Sequence, residues 1–352
     1  MSDLTAQLDH FMEDALKEKV FPGASVLFAQ DSEIIINKAY GVISQDDQNP
    51  VTKEHYYDLA SISKPVVTAT VLLHLIGEGK LFLQQRLVEF FPSFGRTSTK
   101  RLTLMDLVTH RSGFAPTLPL FEPDFSPDIA LKKLLEISPI ATPGTKVIYS
   151  CLNYLLLSQV IKKVTGTSVQ EFFSENFLNP LQLEELSFNP LDEKSIPTSY
   201  CTHRKRLLQG QVHDENSGVF GADGGNSGLF GTALGLYKFV SKLFDTQADA
   251  GPELLTPHLR KILLQNHNPE TLLPRAIGWD IRNDIGYQSA GDLMPKGSFG
   301  HLGFTGTSCW FHPKKGLIVI LLTNRINFGH DATQEKIRQF RPKFHNLLLS
   351  HL

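Results

Sequence analysis

The chain has 352 residues, of which 41% are hydrophobic and 20% charged, and its formal net charge is −2. This composition is typical of a soluble globular enzyme, and the small net charge disfavours nucleic acid or an anionic membrane as a partner, because both require a basic patch. The sequence contains no H-E-x-x-H motif, zinc-type Cys/His cluster, Gly-rich phosphate loop or G-x-S-x-G elbow. We therefore expect neither a metal nor a cofactor.

The first predicted element is an amphipathic helix, because Leu4, Leu8 and Met12 recur at helical spacing with acidic residues between them. The helix lacks the basic start and apolar centre of a secretory signal. The three cysteines have no C-x-x-C spacing, which suits a reducing compartment. If Met1 is the native start, we expect a cytoplasmic protein. No later apolar run approaches the roughly 20 residues that a membrane span requires.

Two strands are predicted next, over GASVLFAQ and SEIIINKAYG, with a polar turn between them. Helical periodicity dominates residues 58–244, and apolar alternation returns within 278–323. A final amphipathic helix over 333–349 is expected to kink at Pro342. We predict one catalytic unit with an α+β fold and an antiparallel sheet. In this unit residues 1–57 and 245–352 form a sheet-containing region and residues 58–244 a mainly helical region.

An S-x-x-K tetrad, Ser61 to Lys64, opens an apolar helical run and is the clearest sign of chemistry in the chain. At positions i and i+3 of a helix the two side chains share a face. A serine hydroxyl needs such a neighbouring proton acceptor, and electrostatic stabilisation of the oxyanion, to act as a nucleophile. The tetrad alone does not distinguish a nucleophile from an ordinary helix start, because it also occurs by chance.

Five segments in the same order resemble motifs of the serine β-lactamase and penicillin-binding-protein superfamily, in its class C and esterase-like branch. They are LASISKPVVTA, LMDLVTHRSGF, PGTKVIYSCLNYLLLSQVIKKVTG, GGNSGLFGTALGLYKF and GHLGFTGTSCWFHPKKGLIVILLTNR. The resemblance covers nearly the whole chain. It implies the β-lactamase/transpeptidase-like architecture, with the active site between the sheet and an all-helical region. It leaves the substrate open.

The resemblance also implies a role for each matched residue. Ser61 would be the acylated nucleophile, Lys64 its hydrogen-bond partner and Tyr149 the general base. The N–H groups of Ser61 and Phe304 would form the oxyanion hole. Four further matched residues would contact the substrate: Cys151, His301, Leu302 and Gly303.

Tyr149 can serve as a base only if its pKa falls well below the ordinary value near 10, and Lys64 is the cation expected to lower it. The alternative is that Tyr149 is a half-buried aromatic anchor. His301 stands where penicillin-recognising members carry a lysine. Its imidazole can donate a hydrogen bond or carry partial charge near neutral pH, or it is a strand-end histidine satisfied by the backbone.

Two positions depart from the family pattern. Cys151 stands where an asparagine is common, and Leu302 replaces the threonine that helps to bind a β-lactam carboxylate. Losing a hydrogen bond to a charged group costs about 1.5–3 kcal/mol. Efficient β-lactamase or DD-peptidase activity is therefore not expected, whereas ester chemistry needs only the serine, its base and the oxyanion hole.

Other residues near the motifs are expected to be structural. Cys151 and Cys309 lie in apolar sequence and resemble small buried hydrophobes. His110 lies in THRSGF, where a helix end turns through glycine. Three aromatic residues either line an acyl pocket or pack in the core: Phe114, Phe220 and Trp310.

We therefore expect a serine hydrolase that acts as an esterase or amidase on a small acyl substrate. One alternative is a penicillin-recognising enzyme, either a β-lactamase or a DD-peptidase. The other alternative is a catalytically silent binding protein that keeps the fold. The sequence does not indicate the oligomeric state.

Overall fold

A computed structural model describes residues 2–122, 125–244 and 253–352. Its main sheet has six strands: β1 (Gly23–Gln30), β2 (Glu33–Gly41), β3 (Asp280–Ile281), β4 (Phe299–Leu302), β5 (Ser308–His312) and β6 (Leu317–Thr323). Their order in the sheet is β2-β1-β6-β5-β4-β3, and every pair is antiparallel. The N- and C-terminal parts of the chain thus meet at the β1–β6 pair, where Val26 lies opposite Leu321.

The helices lie on both sides of this sheet. They are α1 (Ser2–Lys17), α2 (Thr70–Gly77), α3 (Leu87–Phe90), α4 (Leu104–Val108), α5 (Pro127–Leu135), α6 (Cys151–Thr165), α7 (Val169–Phe173), α8 (Glu215–Phe220), α9 (Ala233–Ser241), α10 (Pro257–Leu263) and α11 (His330–Leu349). A smaller sheet joins Tyr57–Asp58, Phe230–Gly231 and Leu186–Ser187, and a two-stranded ribbon joins Tyr200–Cys201 to Arg206–Leu207.

Strand β6 shows how the core is divided. All seven of its residues are buried, and alternate side chains belong to two different hydrophobic clusters. Ile318 and Ile320 pack against the helical region, whereas Val319 and Leu321 pack against α1 and α11. Side chains alternate between the two faces of a strand, so a run that is apolar throughout indicates a strand covered on both sides.

The predicted α+β fold class with an antiparallel sheet is confirmed. The two N-terminal strands and the terminal helices lie where the apolar patterns place them, with Pro342 inside α11. The helix predicted after Lys64 differs, because Lys64–Ala69 is π-helical before α2 begins. Pro65 in the first turn cannot donate a backbone hydrogen bond, and π segments often occur at functional sites. The division into two regions stays a prediction, and residues 245–252 lie outside the described residues.

One described run, Ala60–Gly77, is long and apolar enough to cross a membrane. The prediction that no apolar run approaches the length of a membrane span is therefore wrong, as judged by length and composition alone. In the structure 78% of this 18-residue window is buried inside the protein. We therefore interpret it as a core helix.

Candidate active site

The turn that carries Ser61 is held by a buried carboxylate. Asp58 accepts the backbone N–H of Ala60 at 2.8 Å and that of His213 at 2.7 Å, and it is 2% exposed. The Thr305 hydroxyl donates to the Asp58 carbonyl at 2.8 Å, which ties the turn to the segment after β4. Ser61 is thereby positioned at the junction of the sheet and the helical region, where the resemblance places the active site.

Lys64 lies directly beneath Ser61. Its side chain is fully buried, and Nζ donates to Ser61 Oγ at 2.8 Å and to the Asn226 carbonyl at 2.9 Å. The same nitrogen lies 5.2 Å from the ring centroid of Tyr149 and 5.9 Å from that of Tyr154. Two oxygen acceptors and two aromatic faces thus surround a buried cation.

The pKa of Lys64 is raised above its ordinary value. Burial by itself lowers this pKa, but the negative charges that Cys151 and Tyr149 carry when deprotonated, together with Asp214, outweigh burial. Lys64 is therefore an ammonium group at neutral pH, and in this protonation state it donates to the Ser61 oxygen rather than accepting a proton from it.

Tyr149 is half-buried and shares the cleft with Ser61. Burial raises the pKa of its phenol, and the opposing effect of the Lys64 charge is smaller. The expectation that Lys64 depresses the pKa of Tyr149 below its ordinary value is therefore wrong for this structure. Lys64 acts in the expected direction, but the loss of hydration outweighs it. At neutral pH both members of the pair carry their protons.

The predicted oxyanion hole lies where β4 ends. Gly303 donates its N–H to the Thr307 carbonyl at 2.8 Å, whereas the N–H groups of Ser61 and Phe304 have no acceptor among the residues that the structure describes. A Cβ on Gly303 would clash with the Thr307 side chain and come within 2.8 Å of the Leu59 carbonyl. Only glycine lets the strand end approach the Ser61 turn this closely.

His301 is buried, with 2% of its surface exposed. Burial lowers the pKa of its imidazole to about 4, so the side chain is neutral near pH 7 and does not carry the partial charge that was one of the possibilities for it. Its Nδ1 lies 2.8 Å from the Leu302 carbonyl and must donate to it, which leaves Nε2 unprotonated. His301 is thus not an anion-binding group at neutral pH.

The two residues that depart from the family pattern, Leu302 and Cys151, lie in different parts of the site. Leu302 is half-buried and lines the cleft, whereas Cys151 does not. The Cys151 thiol is close enough to Lys64 and Asn226 for both to lower its pKa, although burial raises that pKa overall. The prediction that Cys151 has apolar surroundings is therefore wrong, because its thiol lies near the polar groups of Lys64 and Asn226. The apolar surroundings predicted for Cys309 are confirmed, because it packs within the main hydrophobic core.

The cleft has a volume of about 610 Å³ and contains much positive charge. Besides Ser61, Tyr149 and residues 301–304, its walls include four arginines, numbered 275, 325, 338 and 341, and a single described carboxylate, that of Asp280. Arg275 forms an ion pair with Asp280. Sequence analysis assigned no role to these arginines, because they are dispersed along the chain.

Two of these arginines are buried beside the predicted oxyanion hole. Arg341 donates to the carbonyls of Gly303 and Thr307, and Arg325 donates to the His330 carbonyl and the Thr333 hydroxyl. Burial lowers the pKa of each to about 10, so both remain charged at pH 7. Neither forms an ion pair with a carboxylate among the described residues.

The structure also shows groups that the sequence motifs did not reveal. Asp58 had no assigned role, although it lies three residues before Ser61. Asn226 lies in the matched GGNSGLF segment, but it binds Lys64 through its backbone carbonyl, which no side-chain pattern reveals. Three aromatic residues do not line the cleft and pack in the core: Phe114, Phe220 and Trp310. Among the described residues, no group of three or more His, Cys, Asp or Glu side chains is placed to hold a metal ion.

Comparisons with known proteins identify the family of the chain and relate its fold to solved structures. A family model described as "Beta-lactamase" matches residues 8–340. A protein described as "Putative D-alanyl-D-alanine carboxypeptidase" from Escherichia coli (strain K12) is 25% identical over 346 residues, which cover 87% of this chain and 79% of that protein.

Two solved structures are similar over almost the whole chain. An octameric penicillin-binding protein homologue from Pyrococcus abyssi has a TM-score of 0.75 at 21% sequence identity. The superposition covers 98% of this chain and 77% of the chain of that homologue. EstCE1, described as a hydrolase with promiscuous acyltransferase activity, has a TM-score of 0.74 at 19% sequence identity. The superposition covers 96% of this chain and 98% of the EstCE1 chain. At these identities the two structures establish a shared fold.

Proposed function

Because the chain belongs to the beta-lactamase family, whose relatives include serine hydrolases, we propose that it forms an acyl-enzyme on Ser61 and acts as an esterase or amidase on a small acyl substrate. The observation that carries the proposal is the 2.8 Å hydrogen bond from Lys64 Nζ to Ser61 Oγ, beside Tyr149 in one cleft. The N–H groups of Ser61 and Phe304 support it, because both lack an acceptor where an oxyanion would develop.

The reaction begins when the Lys64–Tyr149 pair has lost one proton. Ser61 Oγ attacks the carbonyl carbon of the substrate, and its proton passes to the phenolate of Tyr149. The N–H groups of Ser61 and Phe304 donate to the carbonyl oxygen as it becomes negative. The bond to the leaving alcohol or amine then breaks, and this group takes the proton from Tyr149. Water, deprotonated by the same pair, releases the acid and restores Ser61.

The wall next to the nucleophile supports an ester or amide substrate over a β-lactam. Leu302 offers no hydroxyl and His301 offers no charge at neutral pH, so the strand that would bind a β-lactam carboxylate has lost both partners. The first candidate therefore requires only a neutral acyl group in the cleft.

A second candidate, a carboxypeptidase that acts on a peptide C-terminus, is favoured by the four cleft arginines. Arg325 and Arg341 have no carboxylate partner among the described residues, and a buried uncompensated cation favours an incoming anion. The carboxypeptidase description of the Escherichia coli protein supports this candidate. A chain with neither activity would be the silent binding protein considered above.

One panel of substrates separates these candidates. A fluorophosphonate probe should label wild-type protein at Ser61 and leave Ser61→Ala unlabelled. Nitrophenyl esters of graded chain length, an acyl-D-alanyl-D-alanine peptide and nitrocefin are then compared on both proteins. Turnover of the neutral esters alone supports the esterase, and faster turnover of the peptide supports the carboxypeptidase. Absence of labelling and of all turnover would overturn the proposed function.

A further inference from the structure

His110 packs against the ring of the candidate base Tyr149 and accepts hydrogen bonds from the backbone of both residues that flank it. The ring centroids of His110 and Tyr149 lie 4.5 Å apart at an interplanar angle of 33°. The His110 carbonyl accepts the N–H of Ile148 at 2.9 Å, and His110 Nδ1 accepts the N–H of Ser150 at 3.0 Å. The residues immediately before and after Tyr149 are thus both bonded to His110, whose ring also packs against that of Tyr149.

These bonds require one tautomer of the imidazole. The N–H of Ser150 can only donate, so His110 Nδ1 must be unprotonated and the ring proton lies on Nε2. Protonating Nδ1 would break the bond to Ser150 and would place a second cation near Lys64. His110 is fully buried, and a neutral ring is what this environment favours.

The backbone of His110 has an unfavourable conformation at the position where it makes these contacts. Its φ of +60° lies in the left-handed region, which is unfavourable for a residue with a Cβ. Its Nε2 is buried and has no partner among the described residues, which is also unfavourable for a polar group. Two unfavourable features at one position indicate a constraint beyond ordinary core packing.

A second set of side chains orients the imidazole. The Ser112 hydroxyl donates to Asn153 Oδ1 at 2.7 Å, and Asn153 Nδ2 lies 3.2 Å from His110 Nδ1. Asn153 lies in the first turn of α6, two residues after Cys151. The THRSGF segment is therefore linked directly to the segment that carries Tyr149.

We propose that His110 is a positioning residue for Tyr149. His110 holds the backbone on both sides of Tyr149 and packs against the face of its ring, so that the phenol keeps one orientation relative to Ser61 and Lys64. This inference rests on the proposed function, in which Tyr149 transfers the proton. It goes beyond the purely structural role expected for the THRSGF segment.

Two substitutions at His110 distinguish the effect of losing the Nδ1 acceptor from the effect of backbone strain. His110→Gly and His110→Asn both tolerate a left-handed φ, but only asparagine keeps a side-chain acceptor near the position of Nδ1. We expect His110→Gly to lower kcat on a nitrophenyl ester about 10²-fold with little change in KM, and His110→Asn to recover at least a tenth of the wild-type rate. Thr109→Val is the matched control, because the hydroxyl of this buried neighbour donates to the Met105 carbonyl and accepts from Arg111, and among the described residues it has no bond to the segment that carries Tyr149.

The decisive measurement is a double-mutant cycle with Tyr149→Phe. If His110 acts through Tyr149, His110→Gly should lower the rate of the Tyr149→Phe protein by less than threefold, since residues acting as a unit are non-additive. An equal loss in both backgrounds would overturn the inference. A merely structural role for His110 predicts this equal loss.

A readout that does not need activity keeps this test separate from the proposed function. With [¹³Cζ]tyrosine incorporated, the Tyr149 resonance is assigned by its absence from Tyr149→Phe. His110→Gly should shift or split this resonance and move its pH titration, whereas Thr109→Val and His110→Asn should leave it near the wild-type position. An unchanged Tyr149 titration in His110→Gly would overturn the positioning role. Loss of Ser61 labelling in wild-type protein would instead overturn the proposed function.

Discussion

The carboxylate of Asp58 holds the backbone of Ala60, the residue before the proposed nucleophile Ser61, by a hydrogen bond of 2.8 Å. Ala60 has a φ of +48°, a left-handed conformation that is unfavourable for any residue with a Cβ. Burial raises the pKa of Asp58 to about 6, while its bonds to backbone N–H groups oppose this rise. A buried acid thus maintains the strained turn that presents Ser61.

We expect Asp58→Ala to impair both stability and acylation. Two backbone N–H groups, the buried one of Ala60 and the partly buried one of His213, would lose their acceptor, and the buried group alone would cost about 1–3 kcal/mol in the free energy of unfolding. Ser61 would lose its fixed position, and the rate of fluorophosphonate labelling should fall at least tenfold. Urea unfolding and labelling kinetics measure the two effects, with Asp58→Asn as the milder control. Labelling of Asp58→Ala at the wild-type rate would show that the turn does not depend on this carboxylate.

Lys64 and Tyr149 should behave as one proton-transfer unit. Lys64→Met and Tyr149→Phe should each slow acylation by about 10²–10⁴-fold, and the double variant should be scarcely slower than either single variant. Methionine is preferred to alanine because Lys64 is fully buried, and a cavity at that site would destabilise the core. Pre-steady-state release of nitrophenol measures acylation directly. A Tyr149→Phe protein with a near-wild-type rate would reduce Tyr149 to an aromatic anchor and leave Lys64 as the base.

The pH dependence of acylation follows from the pKa directions of this pair. The pKa values of Lys64 and Tyr149 are both raised, so both groups are protonated at neutral pH and the reactive form lacks one proton. The population of that form grows tenfold per pH unit up to the apparent pKa of the pair. We expect log(kcat/KM) for an ester to rise with a slope near one between about pH 7 and 9. A plateau that already begins near pH 6.5 would show that the substrate or another group supplies the base.

Acid should destabilise the protein through its buried neutral histidines. Burial lowers the pKa of His213, His301 and His345 to about 4 each, from an ordinary value of 6.5. The unfolded chain therefore binds more protons between about pH 6.5 and 4, and stability falls as the pH drops through this window, by about 3 kcal/mol for a group as buried as His301. Asp58 acts in the opposite direction, because its raised pKa favours the folded state as the pH falls below about 6.

Urea unfolding at half-unit steps from pH 7 to 4 checks this prediction, and added salt tests for general charge repulsion. The histidines outnumber Asp58, so a net loss of stability is expected. A free energy of unfolding that stays constant across this window would contradict the burial of neutral imidazoles.

Restoring the family threonine should favour anionic substrates. Leu302 is half-buried in the cleft wall, and Leu302→Thr adds a hydroxyl there on a shorter side chain that has the same shape as valine. One added hydrogen bond to a carboxylate corresponds to about 1.5–3 kcal/mol, or roughly tenfold to hundredfold in affinity. We expect kcat/KM for a carboxylate-bearing ester to rise relative to its neutral analogue, with Leu302→Val as the control. An equal response of the two variants would exclude the hydroxyl as the cause.

Local patterns in the sequence were sufficient to predict the two N-terminal strands, the long C-terminal strand and the terminal helices. The short apolar runs in GASVLFAQ and in residues 317–323 predict buried strands. The spacing of Leu4, Leu8 and Met12 predicts an amphipathic helix, because a helix that buries one face repeats its apolar residues every three to four positions. The S-x-x-K spacing likewise predicts that Ser61 and Lys64 are neighbours, since three residues make about one helical turn.

The electrostatics of the site could not be predicted in this way. Lys64 is bonded to the carbonyl of Asn226, 162 residues away, and a backbone carbonyl has no side-chain signature. The raised pKa of Tyr149 and the neutral state of His301 arise from burial by segments distant along the chain. Motif spacing thus predicted which residues meet, whereas the tertiary structure decided their protonation, because hydration is lost only when the whole chain has packed around them.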